Sequence, residues 1–263
     1  MPPTEAHPGT EAAGPGTETA RPGSVAAAPG PGPGPRPETA APAPSPDDTL
    51  DLHLPEDFLA LLAADRSERA RTEGDLLDGL AGWRAAVTAV GSFQLVPVRL
   101  DRDLEVVARW MNDPAVAAFW ELAGPPGVTA DHIRAQLDAD GRSVPCLGVL
   151  DGTPMSYFEI YRADLDPLAR YYPARPHDTG IHLLVGGVAD RGRGVGTTLL
   201  RAVADLVLDH RPRCTRVLAE PDLRNTPSVA AFLGAGFRLS AEVELPDKRA
   251  ALMVRDRALR HVL

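Results

Sequence analysis

One stretch constrains this chain more than any other. Residues 191–196 read Arg-Gly-Arg-Gly-Val-Gly, after the apolar run Ile181-His182-Leu183-Leu184-Val185 and directly before a helical pattern over 197–209. That order predicts a strand that turns sharply into a helix and leaves several backbone N–H groups aimed at one point. The positive end of the helix dipole points the same way, so the turn suits an anionic, phosphate-bearing ligand. Spacing then decides which one. A dinucleotide fold needs G-x-G-x-x-G with an acidic residue about twenty positions later, and a P-loop needs Gly-Lys before Ser or Thr. Here the order is R-x-x-G-x-G with no lysine nearby, so both nucleotide readings fail. An ordinary solvated glycine turn would share this composition, and the turn alone does not establish catalysis.

The rest of the chain sets bounds. Of its 263 residues, 44% are apolar, but the first fifty hold 13 of the 27 prolines and almost no large apolar side chain. Such a segment cannot offset the entropy of ordering, and residues 1–50 are expected to be a disordered tail with polyproline character. No basic leader with an apolar core opens the sequence, and no apolar run is long enough to span a bilayer; neither a secretory signal nor a membrane anchor is expected. Cys146 and Cys214 lack metal-type spacing, so no metal and a reduced, cytoplasmic setting are expected. The net charge of −9 argues against nucleic-acid binding. Between residues 180 and 225 the sign reverses: seven arginines outnumber five acids, which suits a polyanionic cofactor or a merely solvated face.

Periodicity predicts the order of elements. Residues 52–90 carry apolar positions at helical spacing and read as a two-helix extension over 51–91, followed by a domain over 92–263. Residues 93–100 read as the first strand, placed at an edge by Pro97. Helices are expected over 101–111, 115–122 and 129–140, the last capped by Thr129. Asp151-Gly152 predicts a hairpin between strands at 145–150 and 154–162. Further strands at 180–185, 215–220, 237–245 and 249–254 alternate with helices at 197–209 and 226–233. The expected fold class is α/β: a mixed, mostly antiparallel sheet, helices on both faces, and a splay between two central parallel strands.

Several segments together resemble one family. They are the glycine turn, Asp178-Thr179-Gly180-Ile181-His182-Leu183-Leu184, Glu220-Pro221-Asp222-Leu223-Arg224-Asn225, Phe232-Leu233-Gly234-Ala235-Gly236-Phe237 and Leu245-Pro246-Asp247-Lys248-Arg249-Ala250. Trp110-Met111-Asn112-Asp113-Pro114, Phe119-Trp120-Glu121 and Tyr157-Phe158-Glu159-Ile160-Tyr161 add to the match. Over residues 93–254 the chain resembles the siderophore-biosynthesis branch of the GNAT superfamily of acyl-CoA N-acyltransferases, which acylates N6-hydroxylysine and related N-hydroxy-diamines and includes mycobactin lysine acyltransferases. The resemblance implies acyl-CoA (acetyl-CoA or succinyl-CoA) as co-substrate, a small-molecule amine or hydroxylamine acceptor, and siderophore-pathway enzymes as partners. Aminoglycoside 6′-N-acetyltransferases share the glycine loop, but an aspartate tends to stand where this chain has His182. A non-catalytic acyl-CoA-binding module is the alternative of a different class.

Expected site residues follow from the two readings together. The resemblance makes His182 the catalytic base, and imidazole titrates near neutrality. It makes Asp222 the partner or proton relay of His182; the residue could otherwise be a helix cap. Leu184, Val185, Gly186, Arg191, Gly192, Arg193, Gly194, Val195, Gly196 and Thr197 are expected to bind the cofactor, with amides of 184–186 polarising the thioester carbonyl. Asn225 and Ser228 either touch the pantetheine arm or cap the next helix. Trp120, Tyr157, Glu159 and Tyr161 are the expected substrate pocket, although alternating aromatics also suit a core. Lys248, the sole lysine, either neutralises a substrate carboxylate or decorates a hairpin.

Overall fold

Among the described residues, eight strands, β1 to β8 in chain order, form one sheet in the order β1-β2-β3-β4-β5-β6-β8-β7, every neighbouring pair antiparallel except β5 and β6. The computed structural model describes residues 60–62, 64–66, 77 and 79–261, so the expectation for the tail lies outside the described residues. The strands are β1 (Ala86–Thr88), β2 (Gly91–Pro97), β3 (Ser143–Leu150), β4 (Thr153–Arg162), β5 (Thr179–Val185), β6 (Arg216–Ala219), β7 (Arg238–Glu244) and β8 (Arg249–Asp256). The helices are α1 (Leu100–Met111), α2 (Pro114–Trp120), α3 (Pro126–Leu137), α4 (Val195–His210) and α5 (Thr226–Gly234).

Strand alternation explains the layers. Phe158 and Ile160 of β4 join Ile181, Val217 and Met253 in a core beneath α4 and α5, built with Leu199, Val203, Val207 and Phe232. Tyr157 and Leu184 point the other way, into a second core with Val107, Trp110 and Met111 of α1, Val116 of α2 and Ile133 of α3. The expected helices on both faces are present. Asp151 and Gly152 take positive φ of 45° and 80°, the backbone that joins β3 and β4 in a two-residue hairpin.

Three local expectations are corrected. Residues 86–88, read as helix, form β1 instead: Val90 N–H donates to Thr88 Oγ1, which donates to Gly91 O, and this closes a turn to β2. Helical residues in that extension occur at 60–62 and 64–66. The strand of Pro97 is not the outermost one, but β1 pairs only with residues 91–93, so among the described residues Pro97 itself still lies where no strand covers that side. Thr129 does not cap α3. The helix begins at Pro126, which suits a first-turn position, and Thr129 is buried within it.

The decisive feature for function is how little β5 and β6 share. They pair only at Thr179↔Val217 and Gly180↔Leu218, then part. A buried ion pair anchors the closed end: Arg216 Nε donates to Asp178 Oδ1 at 3.0 Å, and Asp178 also accepts from Tyr172 Oη and Arg175 N–H. Removing one member of such a pair strands a charge in the interior. We predict that Asp178→Ala lowers unfolding stability by roughly 3–5 kcal/mol in urea titration. A loss under about 1 kcal/mol would show that the anchor is unimportant.

Candidate active site

Beyond Gly180↔Leu218 the parted strands open a cleft of about 310 Å³, walled by β5, the end of β6, α2, α3, the start of α5 and the β7–β8 turn. His182 stands in it, directly opposite Glu159 across the β4–β5 ladder. Its Nδ1 lies 2.9 Å from Glu159 Oε2 and its Nε2 lies 2.5 Å from Glu220 Oε1. Carboxylates only accept here, so both ring nitrogens must donate and the ring is an imidazolium. Burial disfavours that charge, yet the charge of Glu220 and the hydrogen bonds to Glu159 and Glu220 outweigh it and raise the His182 pKa to about 10. The site thus moves His182 well above the near-neutral titration of a free imidazole. Glu220 responds in kind: burial pushes it up, but the His182 charge and hydrogen bond prevail and lower it to about 2.

Both carboxylates are engaged at both oxygens. Glu159 Oε1 accepts from His132 Nε2 at 2.6 Å, Gln136 Nε2 at 2.6 Å and Tyr157 Oη at 3.0 Å. Burial opposes its charge, and the hydrogen bonds from His132 and His182 pull it well below the usual carboxylate range. Glu220 Oε2 accepts from Tyr161 Oη at 2.7 Å. The Tyr161 ring lies over Gly180, where a Cβ would sit 2.0 Å from Cζ, so only glycine lets Tyr161 reach Glu220. Trp120 meets Tyr157 and His182 edge-on at ring distances of 5.6 and 6.1 Å, and it lines the cleft. Of the expected pocket residues, Glu159 lines the cleft with its carboxylate engaged by protein donors, while Tyr157 and Tyr161 are buried and reach the cleft only through the carboxylates.

Asp222 lines the same cleft but is not hydrogen-bonded to His182. Its carboxylate accepts from the Arg224 guanidinium and backbone N–H, which hold its pKa below the ordinary value. The partner is Glu220, two residues earlier, which alternation along the end of β6 turns to the same side. Sequence reasoning missed Glu220, His132 and Gln136. The i, i+4 spacing of His132 and Gln136 on α3 was the available signal, since it puts both on one helix face.

The glycine turn has the expected backbone, with Gly192 and Gly194 at φ of 70° and 78°. A Cβ at either would meet open space, and Val195, Gly196 and Thr197 form the first turn of a 16-residue helix, whose N–H groups lack intrahelical partners. These residues fit a diphosphate. Arg193 is exposed beside them. Arg191 does different work: it donates to Val185 O, Gly186 O and Asp113 Oδ1 and braces the turn against β5 and α2. Gly186 N–H donates to Met155 O, and the antiparallel pattern orients Leu184 N–H alike, so the amides facing the gap are those of Leu183 and Val185. Asn225 Oδ1 accepts from Ser228 N–H and caps α5, while both residues line the cleft.

Residues 99–245 match the family model described as acetyltransferase (GNAT) domain. The chain belongs to this family. Among its curated relatives, lysine N-acyltransferase MbtK of Mycolicibacterium paratuberculosis is 38% identical over 154 residues, 59% of this chain and 69% of the relative. An N(6)-hydroxylysine O-acetyltransferase of Escherichia coli is 37% identical over 155 residues, 59% of this chain and 49% of the relative. Among solved structures, AAC(6′)-Ib in complex with paromomycin and acetyl-CoA superposes with a TM-score of 0.57 at 25% identity, covering 63% of this chain and 94% of that one. The expected fold, branch and class of enzyme, an N-acyltransferase of GNAT fold, are those of the family and these relatives.

The electrostatics carry a sign. His182 has a raised pKa, so its charged contacts stabilise the fold fully below about 6.5 and lose that effect as pH rises through about 10. Glu220 has a lowered one, so its contribution is present above about 4.5 and is lost as pH falls through about 2. We predict that nitrogen NMR finds both His182 ring nitrogens protonated at neutral pH, with a midpoint that falls by at least about one pH unit in Glu220→Gln. A neutral ring at pH 7 in the unmutated protein refutes this.

Proposed function

We propose that this chain moves an acyl group, acetyl or succinyl, from acyl-CoA to the nitrogen of an N-hydroxylated lysine or diamine, a step of hydroxamate siderophore biosynthesis. The observation that carries the reading is the imidazolium held between two carboxylates where β5 and β6 part. Similarity to the lysine and hydroxylysine acyltransferases supports the acceptor class. The activity is assigned to residues 92–263, in a reduced, cytoplasmic setting beside other siderophore-pathway enzymes.

In this proposal the amides of 192–197 hold the diphosphate, Asn225 and Ser228 flank the pantetheine, and the Leu183 and Val185 amides polarise the thioester carbonyl. Acyl-CoA supplies an activated carbonyl carbon. A hydroxylamine nitrogen is less basic than an alkylamine, whose pKa is about 10.4, and arrives neutral. As its C–N bond forms it becomes strongly acidic, so a weak base suffices. Glu159, His182 and Glu220 together carry one net negative charge and titrate as a unit, which lets the cluster accept that proton. The charged His182 ring donates a proton to the departing sulfur as the C–S bond breaks, and the cluster ends with the protons it began with. His182 therefore serves as base only through its carboxylates, and Asp222 stands on the cleft wall with its charge taken by Arg224. Cys146 and Cys214 are buried with thiol pKa values pushed up by burial, and neither lines the cleft, which favours direct attack over an acyl-cysteine.

The test is thiol release with acetyl-CoA and succinyl-CoA against N6-hydroxylysine, N-hydroxycadaverine, plain amines and aminoglycosides. We expect turnover of the hydroxylamines, and a loss of at least about 100-fold in kcat/KM for His182→Ala with coenzyme A affinity retained. Turnover of aminoglycosides alone would reverse the assignment, a reading that the likeness to AAC(6′)-Ib keeps in the panel. Tight coenzyme A binding without turnover would mark a binding module.

A further inference from the structure

The helix that brings Phe119 and Trp120 to the cleft is held by its ends more than by its face. In α2, Val116 is buried, whereas Pro114, Ala115, Ala118 and Phe119 are exposed. So little apolar burial leaves polar ties to decide where the helix stands. At its start, Asp113 Oδ1 accepts from Ala115 N–H at 3.0 Å, which caps the helix, and from Arg191 Nη1 at 2.8 Å. One oxygen is thus both cap and tie. Past its end, Gly124 N–H donates to Asn112 Oδ1 at 2.9 Å and Gly124 O accepts from Asn112 Nδ2 at 3.0 Å. Residues 112–124 are therefore a loop pinched at its base.

Arg191 links that loop to the glycine turn. Its guanidinium places one nitrogen on each of three acceptors: Nε on Val185 O, Nη2 on Gly186 O and Nη1 on Asp113 Oδ1. A planar, rigid fork of this kind keeps the strand end and the helix start in one frame. Gly192, at φ of 70°, follows Arg191 directly, so a diphosphate that settles on the turn settles the guanidinium as well. The seven residues of α2 span about 10 Å. At the far end of that span, Trp120 meets His182 edge-on.

We infer that Asp113 is a positioning residue: through Arg191 it ties α2, and with it Trp120, to the glycine turn, so that occupancy of the turn is felt at the cleft wall beside His182. The inference rests on the proposed function only for the diphosphate on the turn. A residue that merely capped α2 would leave the two ends independent.

The probe is adenosine 3′-phosphate 5′-diphosphate, which has the diphosphate of coenzyme A but no pantetheine to enter the cleft. Titrated into the full-length protein, it should move the indole N–H resonance of Trp120 and raise the affinity for N6-hydroxylysine at least about fivefold. In Asp113→Ser the hydroxyl can still cap the helix but carries no charge and is too short to hold the guanidinium. There the probe should still bind, the Trp120 shift should be lost, and the gain in affinity should fall below about twofold. Ala118→Gly weakens the exposed helix without touching the tie and should keep both responses. Equal loss in the two variants overturns the inference, since Asp113 would then only stabilise the helix. So does a Trp120 resonance that stays still in the unmutated protein at saturation, or moves unchanged in Asp113→Ser. A probe that does not bind overturns the diphosphate reading and the tie together. The Trp120 response without thiol release from any acyl-CoA keeps the tie and sinks acyl transfer.

Discussion

The site depends on the parting of two parallel strands. β5 and β6 share two residue pairs and then diverge, so the second half of β5 has backbone groups that no neighbouring strand satisfies. In a closed sheet such groups would be a liability. Here part of β5 lines the cleft, and the glycine turn and the first turn of α4 follow from its end. The buried Asp178–Arg216 pair sits at the paired end, and Arg191 grips the carbonyls of Val185 and Gly186 at the open end. The strand is thereby held at both ends and along β4, while its β6-facing side stays unpaired beyond Gly180.

Within that opening, charge is arranged to be shared. Two buried carboxylates would repel each other and resist ionisation if left alone. His182 between them, with His132, Gln136, Tyr157 and Tyr161 donating from behind, keeps both ionised in a setting that would otherwise neutralise them. The tyrosines read as pocket or core lie in the interior, and their hydroxyls steady carboxylates that line the cleft. Trp120 closes the other side against the imidazole.

Much of the fold was legible before any coordinates. Asp151-Gly152 forced a hairpin because few other dipeptides take positive φ twice in succession, and the Gly192 and Gly194 conformations are those the turn requires. The extension before residue 91 misled, because the apolar spacing there continues into Ala86–Thr88, where a threonine hydroxyl closes a turn and pairing with β2 overrides the helical period. The site was half legible. His182 could be placed by its distance from the glycine turn, but Asp222 drew attention over Glu220 because nothing in a linear string shows that Arg224 will claim it.

What the sequence by itself determined is local: a strand, a glycine turn and a helix that together present amides to an anion, and alternation that sets His182 and Glu159 on faces where they can meet. Tertiary structure alone decided the protonation of the imidazole. A histidine's charge depends on which groups converge on it from elements far apart in the chain. Here β4, the end of β6 and, through Glu159, α3 deliver them. Residue type supplies the titratable group, and only the fold supplies the field it titrates in.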